Sequence, residues 1–98
     1  MTIEIKKNAQ ETVIEIAGRL DTITSPALDE AISDGALDAK NLVIDVKDLE
    51  YISSAGLRVL LRAKKMMQKN GTMKLINACG AVMEVFEITG FTDILTIE

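Results

Sequence analysis

The spacing of apolar side chains changes several times along the chain, and each change marks an element. Ile3 and Ile5 alternate with Thr2, Glu4 and Lys6, which predicts a short strand with one face inward. Lys7 to Gln10 are polar and predict a turn. Thr12 to Ala17 then predict a second strand, ended by Gly18, so the first two strands read as a hairpin. Ser25-Pro26-Ala27-Leu28-Asp29-Glu30 is a helix start, with Ser25 as cap, Pro26 at the first helical position and acids in the first turn. Leu28, Ala31 and Ile32 supply its buried face. Gly35 ends or bends it, and Asp38 to Asn41 reconnect to the next strand.

The central stretch runs from Leu42 to Met67. Leu42-Val43-Ile44-Asp45-Val46 is apolar but for one acid and rich in β-branched side chains, as suits a strand buried on both faces. After a loop over Lys47 to Ile52 the period changes. Leu57, Leu60, Leu61 and Met67, with Ala63 on a flank, recur at three- and four-residue intervals, which predicts a helix. Asn70-Gly71 stops it. Met73 to Ile76 predict another strand, and Val82, Val85, Phe86 and Ile88 a third helix from about Ala81 to Thr89-Gly90. Ile94, Leu95 and Ile97 return as a last short strand or a helical tail. Alternation of strand and helix after Ala17 requires parallel pairing through right-handed crossovers.

Two hydroxyls, Ser53 and Ser54, sit where the central helix begins. The first amides of a helix lack internal partners and carry a partial positive charge. A serine oxygen there caps an amide, and the same place suits a phosphate, bound from solution or attached to a serine. Ala55 and Gly56 leave the approach open to another protein. The plain cap is the commoner use of such a serine.

Composition narrows the remaining classes. At 98 residues the chain fits one domain, 1–98, with a single core, and one Tyr and two Phe leave that core to aliphatic side chains. No apolar run approaches the roughly 20 residues that span a bilayer, and no signal peptide opens the chain, so the expectation is a soluble, cytoplasmic protein. Eleven basic against 15 acidic residues give a net charge of −4, which argues against general nucleic-acid binding. Arg58, Arg62, Lys65 and Lys69 form one basic stripe along the helix, either a solvated face or part of a docking surface. There is no histidine, which removes Ser-His-Asp and Cys-His catalysis. The single cysteine, Cys79, removes an internal disulfide and any zinc site of several thiolates. It reads as a small core side chain, with a reactive thiol the less common alternative. No Walker-type loop or GxGxxG fingerprint is present.

Ile52-Ser53-Ser54-Ala55-Gly56-Leu57-Arg58-Val59-Leu60-Leu61, preceded by Leu42 to Val46, resembles the centre of the STAS domain. That family is shared by bacterial anti-sigma factor antagonists and the cytoplasmic tails of sulfate transporters. Its members typically show Asp-Ser-Ser/Thr-Gly-Leu here, with the serine after the aspartate phosphorylated. Alignment on Gly56-Leu57 puts that serine at Ser54, while Ser53 stands in the aspartate position and Ala55 replaces a hydroxyl residue. Gly18-Arg19-Leu20-Asp21 resembles the family's Gly-x-Leu-Asp. The resemblance implies that Asp21 neighbours Ser54; its alternative is a turn residue that bonds local amides.

The resemblance implies an α/β fold, a single STAS-like domain with a mixed sheet of four or five strands and helices mostly on one face. No repeat or linker appears, which points to a stand-alone domain. The implied function is non-enzymatic: an anti-sigma factor antagonist that binds a serine-kinase anti-sigma factor and releases a sigma factor for transcription. The kinase would phosphorylate Ser54, or Ser53 as the alternative acceptor, and a PP2C-type phosphatase would reset it. The implied contact residues are Asp21, Ser53, Ser54, Gly56, Leu57 and Arg58, with no metal and no cofactor, in a monomer or weak dimer. A second reading is an adaptor subunit of a phospholipid-transporting ABC complex. A third is a nucleotide site at the same helix terminus.

Overall fold

The computed structural model describes residues 1–36, 40–78 and 80–98. Strands β1 (Thr2–Lys7) and β2 (Glu11–Leu20) form the hairpin, followed by α1 (Ser25–Ala36), β3 (Asn41–Ile52), α2 (Ser54–Asn70), β4 (Thr72–Ile76), α3 (Gly80–Thr89), a 3-10 turn (Phe91–Asp93) and β5 (Thr96–Ile97). Within the hairpin turn, the Asn8 carboxamide oxygen accepts the Gln10 and Glu11 amides at 2.9 and 2.8 Å. The predicted reading of Cys79 lies outside the described residues.

The strands stand in the order β1-β2-β3-β4-β5, with β1 antiparallel to β2 and each later pair parallel. Every crossover from β2 onward therefore steps to the next strand in the same direction. Right-handed connections of that kind put all their helices on one face of the sheet. The core confirms it: Leu28 and Ile32 of α1, Leu60, Ala63 and Met67 of α2, and Val82 and Phe86 of α3 join Ile14, Ile44 and Leu75 of the strands in one cluster. The mixed five-stranded sheet and single domain agree with the sequence reading.

Several details differ. β3 does not end at Val46 but continues to Ile52, through the stretch read as a loop. Against β2 it carries two extra residues, one between the pairs Glu15↔Asp45 and Ala17↔Asp48 and one between Gly18↔Leu49 and Arg19↔Tyr51. Such bulges twist and bend a strand. They also change its burial spacing, so that Val46, Leu49 and Ile52, three apart, all point into the core. Gly18, opposite the second bulge, has φ +96°, a left-handed conformation that glycine adopts without penalty.

The buried seam of α2 is rotated from the predicted one. Gly56, Leu60, Ala63 and Met67 lie inward, while Leu57 and Leu61 are half-buried. The cause is Gly56: a Cβ there would lie 2.7 Å from Leu20 Cγ and 2.9 Å from Leu20 Cδ2, so the glycine lets the helix settle directly on β2. In β1, Ile3 packs partly on the core but Ile5 is exposed. Ile88 is exposed as well, because the inward side of α3 is taken by Val82 and Phe86. Ser25 is the first residue of α1, and its buried Oγ has no hydrogen-bond partner, so it does not cap.

Candidate functional site

The carboxyl ends of β2 and β3 and the start of α2 meet at one end of the sheet, the usual location of sites in open α/β folds. The Ser53 amide donates to the Leu20 carbonyl at 2.9 Å, tying the two strand ends together. Asp21 follows Leu20 directly in the chain, and Gly56 in the first turn of α2 lies against the Leu20 side chain. The two regions that the sequence pointed to, Gly18 to Asp21 and Ser53 to Arg58, are thus joined by this hydrogen bond.

Ser53 is the N-cap residue of α2, with extended backbone (φ −99°, ψ 175°), and its carbonyl accepts the Leu57 amide at 3.0 Å. Its side chain makes no capping bond, and its Oγ is buried without a partner. Ser54, the first residue of the helix, is exposed. The two adjacent hydroxyls, equivalent in sequence, are therefore different in reach: one is enclosed and the other faces solvent. Gly56 is buried beneath them, Leu57 is half-buried and Arg58 is exposed. The first turn of α2 carries no acid, so the positive end of the helix is not neutralised by its own side chains.

Asp21 serves first as a local organiser. Its Oδ1 accepts the Ile23 and Thr24 amides at 3.0 and 3.1 Å, while the Thr24 hydroxyl accepts the Asp21 amide at 2.9 Å and donates to the Arg19 carbonyl at 2.7 Å. The Thr24 amide, joined by the Ile23 amide and the Arg19 charge, holds the carboxyl below its ordinary value, against a partial cost of burial. Arg19 Nε lies 4.0 Å from Asp21 Oδ2, and the guanidinium sits 4.2 Å from the Tyr51 ring centroid. A carboxyl lowered in the fold stabilises it above the unfolded value near pH 4, and loses that contribution as pH falls through the lower folded value. Asp21→Asn keeps an oxygen acceptor but cannot titrate. The melting temperature of this variant is expected to fall less between pH 5 and pH 2.5 than that of the parent, as followed by circular dichroism; equal falls would remove Asp21 from the acid response.

Between α1 and α2 lies an open groove of about 300 Å³, lined by Thr22, Ser25 and Asp29 on one side and Ala55, Arg58 and Arg62 on the other. Arg62 Nη1 donates to Asp29 Oδ2 at 2.6 Å across it. The basic stripe is exposed along its length, as its spacing implied. A larger cavity, about 410 Å³, opens at the far end of the strands beside Asn41, Thr72 and Lys74, away from Ser54. Among the described residues no three His, Cys, Asp or Glu side chains cluster as metal ligands, and no helix is long and apolar enough to cross a membrane.

A family model, the STAS domain, matches residues 2–98. The chain is 34% identical over 98 residues to the anti-sigma-B factor antagonist of Bacillus subtilis, an alignment covering 99% of this chain and 90% of that one. A crystal structure of an anti-sigma factor antagonist from Mycobacterium paratuberculosis superposes with a TM-score of 0.88 at 25% identity, covering 98% of this chain and 83% of that one. The unphosphorylated form of the antagonist SpoIIAA shares the fold, with a TM-score of 0.78 at 18% identity over 99% of this chain and 88% of that one.

Proposed function

The chain belongs to the STAS domain family, and we propose from that premise that it is an anti-sigma factor antagonist switched by phosphorylation of Ser54. In the cytoplasm it binds a serine-kinase anti-sigma factor and thereby frees a sigma factor. One observation carries the choice of residue: Ser54 is exposed where α2 begins, whereas the Ser53 hydroxyl is buried. In the modification, Ser54 Oγ bonds to the γ-phosphorus of ATP, the bond to the β-phosphate oxygen breaks and ADP leaves. The hydroxyl proton passes to a base on the kinase. A PP2C-type phosphatase hydrolyses the ester and restores the hydroxyl.

Asp21, Leu57 and Arg58 surround Ser54 on the docking face, with Gly56 acting from beneath by letting α2 close on β2. The switch needs no refolding, because an anion at the start of a helix is favourable within the domain. Its cost falls on the complex, where a dianion beside Asp21 must lose water against the partner. The full-length match to relatives named as antagonists favours this reading over the transporter adaptor. Incubation with the cognate kinase and ATP, followed by mass spectrometry, is expected to place one phosphate on Ser54. Ser54→Ala abolishes it. Ser53→Ala folds and is still modified, since the side chain removed makes no capping bond. Phosphate mapped to Ser53, or none with the kinase, would overturn the assignment.

A further inference from the structure

Ser54 opens α2 and Arg58 stands four residues further on, so the two side chains share one helix face with Cβ atoms about 5–6 Å apart. Arg58 is exposed, and among the described residues it has no carboxylate partner. Its neighbours on this end of the molecule are committed. Arg62 is bound to Asp29 at 2.6 Å, and Arg19 is stacked at 4.2 Å from the Tyr51 ring centroid. Arg58 also lines the groove between α1 and α2 with Ser25, which is only 3% exposed and whose Oγ lacks a partner. This side of Ser54 therefore holds hydrogen-bond donors; the one acidic side chain among the residues lining the groove, Asp29, is already taken by Arg62, and Asp21, outside that lining, is engaged with the Ile23 and Thr24 amides.

We propose that Arg58 receives the phosphate of phosphorylated Ser54, held across one helical turn at the edge of this groove. The inference rests on the reading of Ser54 as the acceptor. The order of charges is the favourable one, with the anion nearer the helix N-terminus and the cation four residues later. A guanidinium offers paired N–H donors that match two phosphate oxygens. One modification then alters the docking face twice: it adds an anion, and it withdraws Arg58 from any acidic group on the partner.

The test installs phosphoserine at position 54 of the full chain during translation, with no kinase involved, and follows the phosphate by ³¹P NMR as pH is varied. In the parent its second pKa is expected to lie roughly half a unit below that in Arg58→Gln, because losing the guanidinium disfavours the dianion. Lys65→Gln, about three turns from the phosphate and with no carboxylate partner among the described residues that its loss would free, is expected to titrate with the parent. Superimposed curves for the parent and Arg58→Gln would overturn the proposal. An equal displacement by Lys65→Gln would overturn it too, since the effect would then be one of general charge. A chain that no kinase modifies would sink the Ser54 reading but leave this measurement standing, so the two failures are distinguishable.

Discussion

Gly71→Ala is expected to melt roughly 10–20 °C below the parent chain, a loss of about 2–3 kcal/mol in a domain of this size. A Cβ at Gly71 would be driven into the backbone carbonyl of Lys40, with the Lys40 carbonyl carbon only 2.6 Å away. That carbonyl already accepts the Thr72 amide at 2.9 Å, the bond that opens the β3–β4 ladder at Asn41↔Thr72. The Gly71 amide in turn closes α2 by donating to Met67 at 2.7 Å. Relief thus requires a backbone shift, either of the end of α2 or of the entry to two central strands. Gly80 is the contrast: a Cβ there meets nothing within 4 Å, and Gly80→Ala carries only the left-handed backbone penalty, about 1–2 kcal/mol. Thermal melts followed by circular dichroism compare them. A Gly71→Ala melt within two or three degrees of the parent would refute the clash.

Ser54→Asp is expected to weaken binding to the proposed serine-kinase anti-sigma factor by about 30-fold or more, near 2 kcal/mol, while leaving the domain as stable as before. The two halves of this expectation have different causes. Within the free chain, a carboxylate in the acid-free first turn of α2 meets the positive end of the helix, which is favourable. In the proposed complex the same charge must be desolvated on the face proposed to include Asp21, a second carboxylate, which the Thr24 amide holds below its ordinary value. Ser54→Ala adds no charge and is expected to bind within a few-fold of the parent. Calorimetric affinity and a melting curve on the same sample decide it: undiminished affinity in Ser54→Asp would remove the charge switch, and weakened affinity with an unfolded chain would point to folding instead.

The type and order of the elements were legible in the sequence because each carries its own period. The extent of β3 was not. Lys47-Asp48 and Glu50-Tyr51 interrupt a strict alternation, and only the bulges turn Val46, Leu49 and Ile52 into one inward row. The seam of α2 was displaced for a similar reason. Leu57 and Leu61 look like seam positions by hydrophobicity, but contact with β2 is set by Gly56, whose role lies in the side chain it lacks. Ser25 in front of Pro26 has the composition of a cap, yet the Thr24 and Asp21 side chains organise the loop before α1. At the site, the motif alone left Ser53 and Ser54 open. Their difference comes from the strand that ends at Ile52, which turns one hydroxyl inward and leaves the other outside.

The two surplus residues of β3 make that strand a ruler for the height of Ser54 above the sheet. Deleting one of them would lower the serine by about one strand step, roughly 3.3 Å, and throw Leu49 and Ile52 out of phase with the core. Substitutions at the outward positions Lys47, Asp48 and Glu50 leave the measure unchanged. Between Asp45 and Ile52, natural variation in chains built this way should therefore conserve length more strictly than identity.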